Sequence, residues 1–256
     1  LKGRTPVQPG LNERGNVTLG VPEPKNLGDN IYSIRHGRES LPKAILDLAK
    51  PRHWLLLPNG KSKYKFVKAK NGLFPPDKTL GAIKVPNSTP QIVERYGLGD
   101  EQAVLARIRY NRLTDLFLGI AAFPLQSHLR TTVQHFYKSQ IETDDLYVGV
   151  DKSGVQYVVP VQAKGRGEII GAVQAIQDIY CCKERFPDLV CRAIGAQTID
   201  ISKNPSGSDV YTIALMELAI DPESSYDVSK VQERHFQLVE HTEITPADLN
   251  AYRKQS

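Results

Sequence analysis

The sequence predicts an α/β protein with a mixed central sheet flanked by helices. Two apolar runs rich in Val, Tyr and Leu are separated only by Lys-Ser-Gly, which predicts a β-hairpin with strands over 144–151 and 157–164. Apolar residues recur at helical spacing over 101–118 and 169–186, before and after the hairpin. Two more apolar runs, 190–197 and 210–220, predict strands. The order of helix, two strands, helix and two strands is typical of a sheet with helices packed on its faces.

The rest of the chain divides by composition into three further parts. Residues 1–30 are rich in Gly, Pro and Asn and predict an extended arm. Residues 31–98 are basic and contain predicted strands, including a strand at 31–34, and a short helix at 41–48. Residues 224–256 are expected to form a C-terminal extension with a strand at 234–239 and a helix capped by Thr245. The domain expected to carry function is 99–223.

The charge of the chain is unevenly distributed. Residues 1–140 contain 22 Lys and Arg against 10 Asp and Glu, or +12, whereas residues 141–256 contain 11 against 18, or −7. A basic half joined to an acidic half indicates that the first half meets a polyanion. The alternative is that these cations only solvate an exposed surface.

Lysines alternate with aromatic or small residues in one basic stretch, 61–70. On a strand, Lys61, Lys63 and Lys65 would share one face, and a row of lysines suits contact with nucleic-acid phosphates. The alternative is an edge strand that its lysines protect from aggregation. Arg35 and Arg38 are candidate donors to base edges, although no pattern separates them from surface arginines.

Several classes of protein and site are disfavoured. No run of about 18 apolar residues occurs, and the N-terminus lacks an apolar signal core, so we expect a cytoplasmic protein without a membrane partner. The three cysteines lack metal-binding spacing and are expected to be reduced and structural. His128 and His135 would share a face if their segment were helical, but surface or capping roles are favoured over a metal site.

Polar groups cluster at one end of the predicted hairpin. Asp144 and Asp145 begin the first strand, while Gln162 and Lys164 end the second and leave the sheet on the same face. Two acids, an amide and an ammonium group should therefore meet at one edge of the sheet.

This arrangement resembles the PD-(D/E)XK nuclease superfamily over roughly residues 100–220. The resemblance rests on the acidic strand start, the hairpin, and Gln162-Ala-Lys164 in the form with glutamine at the second acidic position. The stretches Ile141–Val150 and Pro160–Lys164 also resemble bacterial endonucleases of restriction type. A core like that of the restriction endonucleases is implied, with the basic N-terminal part binding DNA.

The resemblance also implies roles for the clustered residues. Mg²⁺, for which Mn²⁺ can substitute, would be held by an aspartate and by the Gln162 side-chain oxygen, because Mg²⁺ prefers oxygen ligands. Lys164 would orient or deprotonate the attacking water, or neutralise developing charge. Because a neutral Gln is a poorer ligand than Glu, a helix acid should compensate, with Glu101 as the first candidate and Glu94 behind it.

The choice between the two aspartates is open. The position immediately before an apolar run favours Asp145, whereas Asp144 shares a side with Glu142 and is ranked first. Arg166, just beyond Lys164, is a further candidate phosphate contact.

The expected function is a Mg²⁺-dependent endonuclease of restriction type that cuts double-stranded DNA at a specific sequence, with a C2 homodimer a reasonable assembly. One alternative is a non-catalytic DNA-binding or assembly protein on a nuclease-like fold. Another is a transposase-type strand-cleaving subunit that needs partner proteins.

Overall fold

A computed structural model describes residues 10–11, 17–18, 41–61, 63–96 and 101–254. The chain forms two compact units, 1–40 and 41–256. In the first unit, strands β1 (Gly10–Leu11) and β2 (Val17–Thr18) pair antiparallel. The rest of the expected arm, the strand predicted at 31–34, and both Arg35 and Arg38 lie outside the described residues.

The second unit contains twelve strands and six α-helices within the described residues. The strands are β3 (His53–Pro58), β4 (Tyr64–Ala69), β5 (Leu73–Phe74), β6 (Ala82–Pro86), β7 (Ala121–Val133), β8 (Ser139–Val150), β9 (Gln156–Lys164), β10 (Ile170–Gly171), β11 (Val190–Cys191), β12 (Ala193–Lys203), β13 (Asp209–Ile220) and β14 (Val228–Val239). The helices are α1 (Lys43–Asp47), α2 (Gln91–Tyr96), α3 (Glu101–Tyr110), α4 (Leu113–Leu118), α5 (Ala172–Arg185) and α6 (Pro246–Arg253). Short 3₁₀ helices occur at Gln134–Phe136 and His241–Glu243.

A mixed sheet of eight strands forms the centre of this unit. Its strand order is β6-β14-β13-β12-β9-β8-β7, with β11 also paired to β9. β12 and β11 run parallel to β9, and β6 runs parallel to β14, while the other neighbours are antiparallel. The predicted α/β class, with a mixed sheet flanked by helices, is confirmed.

Each face of the sheet buries its own apolar layer. On one face α5 packs with the β3–β4 hairpin, and the layer includes Leu146, Val158 and Ile176. On the other face α3 and α4 pack over Tyr147, Val161 and further apolar side chains. Residues adjacent in a strand therefore face different helices, as the alternation of side chains across a strand requires.

The structure differs from the sequence predictions at several elements. His128 lies in the 13-residue strand β7 and His135 in a 3₁₀ helix, so the two histidines do not share a helical face. The helix expected over 101–118 is divided into α3 and α4 at Arg112, whose φ of 52° is left-handed. The central sheet also includes β6, from the region expected to end at residue 98, and β14, from the extension expected to begin at residue 224.

One buried carboxylate attaches the β3–β4 hairpin to the rest of the unit. Asp227 accepts hydrogen bonds from Arg52 Nη2 at 2.5 and 2.6 Å and from the Lys70 backbone amide at 2.8 Å. Burial opposes the ionisation of Asp227, but the Lys70 amide and Arg52 outweigh it and lower the pKa of this carboxyl. A single side chain thus joins both ends of the hairpin to the start of β14.

We expect Asp227→Asn to lower the free energy of unfolding at pH 7 by about 1–3 kcal/mol, because it removes the anionic partner of Arg52. Since the pKa of Asp227 is lowered in the folded state, its stabilisation is present above the unfolded pKa and disappears as the pH falls through the folded value. Urea unfolding at pH 7 and pH 3 measures both effects.

The matched control is Asp221→Asn, because Asp221 forms a more exposed ion pair with Lys70 in the same region, at 3.3 Å. It should change stability little. Equal effects of the two substitutions would contradict the anchoring role of Asp227.

Candidate active site

The candidate site lies where the pairing of β8 with β9 ends. The last pair of this antiparallel ladder is Asp145 with Val161, whereas β9 continues beside β12 as far as Lys164. Past that point, Asp144 Oδ2 accepts the Ala163 backbone amide at 2.9 Å. The Gln162 side-chain amide also reaches across to β8. Beyond the last backbone pair, β8 and β9 are therefore joined by the side chains of Asp144 and Gln162.

Gln162 is held from both sides by hydrogen bonds. Its Nε2 donates to the backbone oxygen of Glu142 at 3.2 Å, and its Oε1 accepts from Gln174 Nε2 at 3.1 Å. The residue is only 2% exposed. The amide is therefore buried and fixed beside Asp144 at the junction of the two strands.

The site lysine forms an ion pair with a helix acid. Lys164, at the end of β9, is 8% exposed, and its Nζ donates to Glu101 Oε1 at the start of α3. A buried ammonium group needs such a partner because leaving it unpaired costs several kcal/mol. The structure thus brings together Glu101 and Lys164, which the sequence placed 63 residues apart.

Negative charge is concentrated around Asp144. Burial, together with the nearby carboxylates of Glu101 and Glu142, raises the pKa of Asp144 to about 6. The Ala163 amide and the Lys164 ammonium act in the opposite direction. A cation bound here would stabilise the ionised form of Asp144, because opposite charge favours the charged state.

Asp145 belongs to the opposite side of the sheet. It is fully buried and accepts hydrogen bonds from Arg109 Nη2 at 3.0 and 2.8 Å and from Ser127 Oγ at 2.6 Å. Arg109 comes from α3, whereas Gln162 contacts Gln174 of α5. Asp145 is thus already neutralised by a structural partner, and Asp144 is the aspartate that lies with Gln162.

A buried polar network behind Gln162 was missed by the sequence reasoning. Asp178 of α5 is 1% exposed and accepts a hydrogen bond from Thr143 Oγ1 at 2.6 Å. The pKa of Asp178 is raised to about 8, mainly by burial and also by the charge of Asp144, against the lowering effect of hydrogen bonds from Thr143 and Gln162. One pattern in the sequence could have indicated this network. The amphipathic segment that forms α5 has two polar residues four positions apart, Gln174 and Asp178, which lie on the same face of a helix.

The candidate DNA-binding lysines have different environments. Lys61 and Lys63 are exposed at the tip of the β3–β4 hairpin, which Gly60 attaches to the start of β8 by donating its amide to Ser139 Oγ at 2.8 Å. Lys65 is half-buried and donates to Tyr226 Oη at 2.8 Å. Arg166 is exposed in the loop that follows Lys164. Three of the candidates are thus open to a ligand, and Lys65 is engaged by the protein.

The donor set suits a cation that keeps much of its water. Among the residues that the structure describes, no three His, Cys, Asp or Glu side chains are grouped so as to hold a metal ion. Mg²⁺ is usually bound by one or two carboxylates together with waters and substrate phosphates. The Asp144 carboxylate has about four acceptor sites, so its bond to the Ala163 amide leaves capacity for such an ion. Asp144 therefore fits Mg²⁺ as a partial ligand set, to which the nearby Gln162 would bring an amide oxygen that already accepts one hydrogen bond from Gln174.

Comparisons with known proteins give no family for the chain: no protein-family model, no curated protein and no solved structure matches it. Within the described part of the chain, no helix is both long and apolar enough to cross a membrane.

We expect Asp178→Asn to stabilise the fold more at pH 8.5 than at pH 4.5. A carboxyl whose pKa is raised in the folded state contributes its full stability below the unfolded pKa, and that contribution is lost as the pH rises toward about 8. The neutral amide removes this loss, which reaches several kcal/mol at pH 8.5 because one pKa unit corresponds to about 1.4 kcal/mol. Thermal unfolding in EDTA at both pH values measures the difference.

Asp227→Asn serves as the comparison, because the pKa of that buried carboxyl is shifted in the opposite direction. Its effect at neutral pH should have the opposite sign. If the difference in stability between Asp178→Asn and wild type were the same at pH 4.5 and pH 8.5, the raised pKa of the buried Asp178 carboxyl would be contradicted.

Proposed function

We propose that this protein is a Mg²⁺-dependent endonuclease of restriction type that hydrolyses double-stranded DNA. The observation that carries the proposal is the meeting of Asp144, Gln162 and Lys164 at the end of the β8–β9 ladder. A carboxylate of raised pKa, a buried amide and a buried lysine lie at one sheet edge there. Perturbed ionisable groups of this kind are concentrated at functional sites.

Each residue has a distinct part in the proposed hydrolysis. Asp144 and the Gln162 oxygen would hold Mg²⁺, which when bound supplies Lewis-acid stabilisation of charge on the phosphate oxygens. Lys164 would orient the attacking water and neutralise charge that develops on the phosphate. Glu101 pairs with Lys164 in the free protein and so fixes the ammonium group at the sheet edge.

The exposed basic groups suit contact with the DNA backbone. Lys61 and Lys63 lie at the hairpin tip, near Ser139 at the start of β8. Ser139 and Asp144 are about 17 Å apart along an extended strand, at about 3.4 Å per residue. Arg166 follows Lys164 directly in the next loop. Phosphates on both sides of a bound scissile bond could therefore meet cations of this chain.

The main alternative is a DNA-binding or assembly protein without catalysis. The observation that favours it is that the Lys164 ammonium already has a partner in Glu101. In that function the β8–β9 hairpin would only be a scaffold, and the basic residues of 31–98 would be the functional part. A transposase-type subunit that cuts only with partner proteins would share the site but would be inactive alone.

A cytoplasmic location and a C2 homodimer complete the proposal of a restriction-type endonuclease.

We expect purified wild-type protein to cut mixed plasmid and phage DNA into discrete fragments with Mg²⁺ or Mn²⁺ but not with EDTA. Lys164→Ala and Asp144→Asn should each reduce the cleavage rate at least about 100-fold, because proton transfer and charge stabilisation contribute factors of this size. Gel analysis of single-turnover reactions measures the rates.

Lys230→Ala is the matched control, because Lys230 forms an ion pair with Glu233 on β14, three strands from β9. It should cut at the wild-type rate. DNA binding without cleavage in any metal, with no difference between wild type and Lys164→Ala, would support the non-catalytic alternative. A chain that is inactive alone but cuts when a cell extract is added would support the transposase-type alternative.

We expect the double variant Lys61→Ala/Lys63→Ala to weaken DNA binding about equally for all sequences, because phosphate contacts carry no sequence information. The slope of log affinity against log salt should become shallower by about 2, one for each lost phosphate contact. Fluorescence anisotropy in Ca²⁺ at several salt concentrations measures the slope. Lys152→Ala/Lys254→Ala removes two exposed lysines elsewhere, and a slope change of the same size in this control would contradict a hairpin-tip contact.

A further inference from the structure

The Gln162 amide has donors and acceptors arranged around it on three sides. Its Nε2 donates to the Glu142 backbone oxygen and its Oε1 accepts from Gln174 Nε2, and a further hydrogen bond joins the amide to the Asp178 carboxyl. Thr143 Oγ1 donates to Asp178 at 2.6 Å, so the acid is itself held in place. Thr143, Gln162 and Asp178 are all buried, each being 2% exposed or less.

The orientation of an amide group depends on such partners. The oxygen and nitrogen ends of a glutamine side chain have nearly the same shape, and only their hydrogen-bond partners distinguish the two orientations. An acceptor placed beside the nitrogen end makes the reversed orientation unfavourable, because two acceptors would then meet in a buried site. Asp178 is such an acceptor, and it lies too deep to reach a DNA phosphate itself.

We propose that Asp178 is a positioning residue that, together with Glu142 and Gln174, fixes the Gln162 amide so that the second lone pair of its oxygen can meet a divalent cation, and that Thr143 holds Asp178 in this role. The inference rests on the proposed function, because it concerns the same site. It explains why a carboxyl group is buried on α5 without a cationic partner among the described residues. Gln162 is the neutral residue at the second acidic position of the resemblance. In this proposal Asp178 is the acid that compensates for it, because Asp178 acts through the Gln162 amide.

The test compares two replacements of nearly equal volume, Asp178→Asn and Asp178→Leu. Asparagine can accept from Gln162 through its oxygen and donate to Thr143 through its nitrogen, so the Gln162 orientation is preserved. Leucine offers no acceptor, so the Gln162 nitrogen keeps only the Glu142 backbone oxygen and the preference for this orientation weakens. Calorimetric titration with Mn²⁺ in the absence of DNA gives the affinity, and single-turnover cleavage in Mg²⁺ gives the rate.

We expect Asp178→Leu to bind Mn²⁺ about 10–100-fold more weakly, the usual effect of removing a group that orients a metal ligand. Asp178→Asn should bind Mn²⁺ and cut DNA as wild type does. Thr143→Val should weaken Mn²⁺ binding in the same direction but less. Its matched control is Thr114→Val, because the buried Thr114 hydroxyl has no hydrogen-bond partner in the described part of the chain.

The outcomes separate this inference from the proposed function. Wild-type Mn²⁺ affinity in a folded Asp178→Leu protein would overturn the positioning role while leaving cleavage by wild type intact. Equal losses in Asp178→Asn and Asp178→Leu would also overturn it, since charge rather than orientation would then be what matters. A wild-type protein that neither binds Mn²⁺ nor cuts DNA would overturn both proposals. If Asp178→Leu does not fold, Thr143→Val against Thr114→Val decides the question.

Discussion

The bond between the Asp144 carboxylate and the Ala163 amide is the interaction on which the candidate site depends. It stands where the β8–β9 ladder ends, so that a side chain satisfies a backbone group that the neighbouring strand no longer reaches. A buried amide without an acceptor would cost about 1–3 kcal/mol. The same break in pairing leaves room for Gln162 to cross between the strands. One carboxylate therefore both satisfies the Ala163 amide and fixes the geometry of the site.

The acids around this junction serve different purposes because their partners differ. Asp145 and Asp227 are matched by arginines, and both join elements that are distant in sequence. Asp144 and Asp178 have no such arginine, and burial raises the pKa of each. Such groups cost stability at neutral pH and persist where a site requires them. Burial without an arginine partner thus distinguishes Asp144 and Asp178 from the acids of these structural ion pairs.

Long-range packing also decides which basic residues meet a ligand. The alternation of Lys61, Lys63 and Lys65 predicted a strand with the three lysines on one face, whereas β4 begins at Tyr64 and contains only Lys65 of the three. It did not indicate that Lys65 would bond to Tyr226, because that partner lies 161 residues away. Helical spacing likewise supported one helix over 101–118, yet the left-handed backbone of Arg112 divides it.

The sequence by itself determined the hairpin over β8 and β9, helix α5, and the candidate set of Asp144, Gln162, Lys164 and Glu101. These follow from local patterns, since strand alternation and helical spacing depend on residues close together in the chain. Only the tertiary structure decided that β7 is a strand, that Asp145 turns to Arg109, and that Asp178 stands behind Gln162. Each depends on a partner in another element, and such pairing is set by packing of the whole sheet and its helices rather than by local pattern.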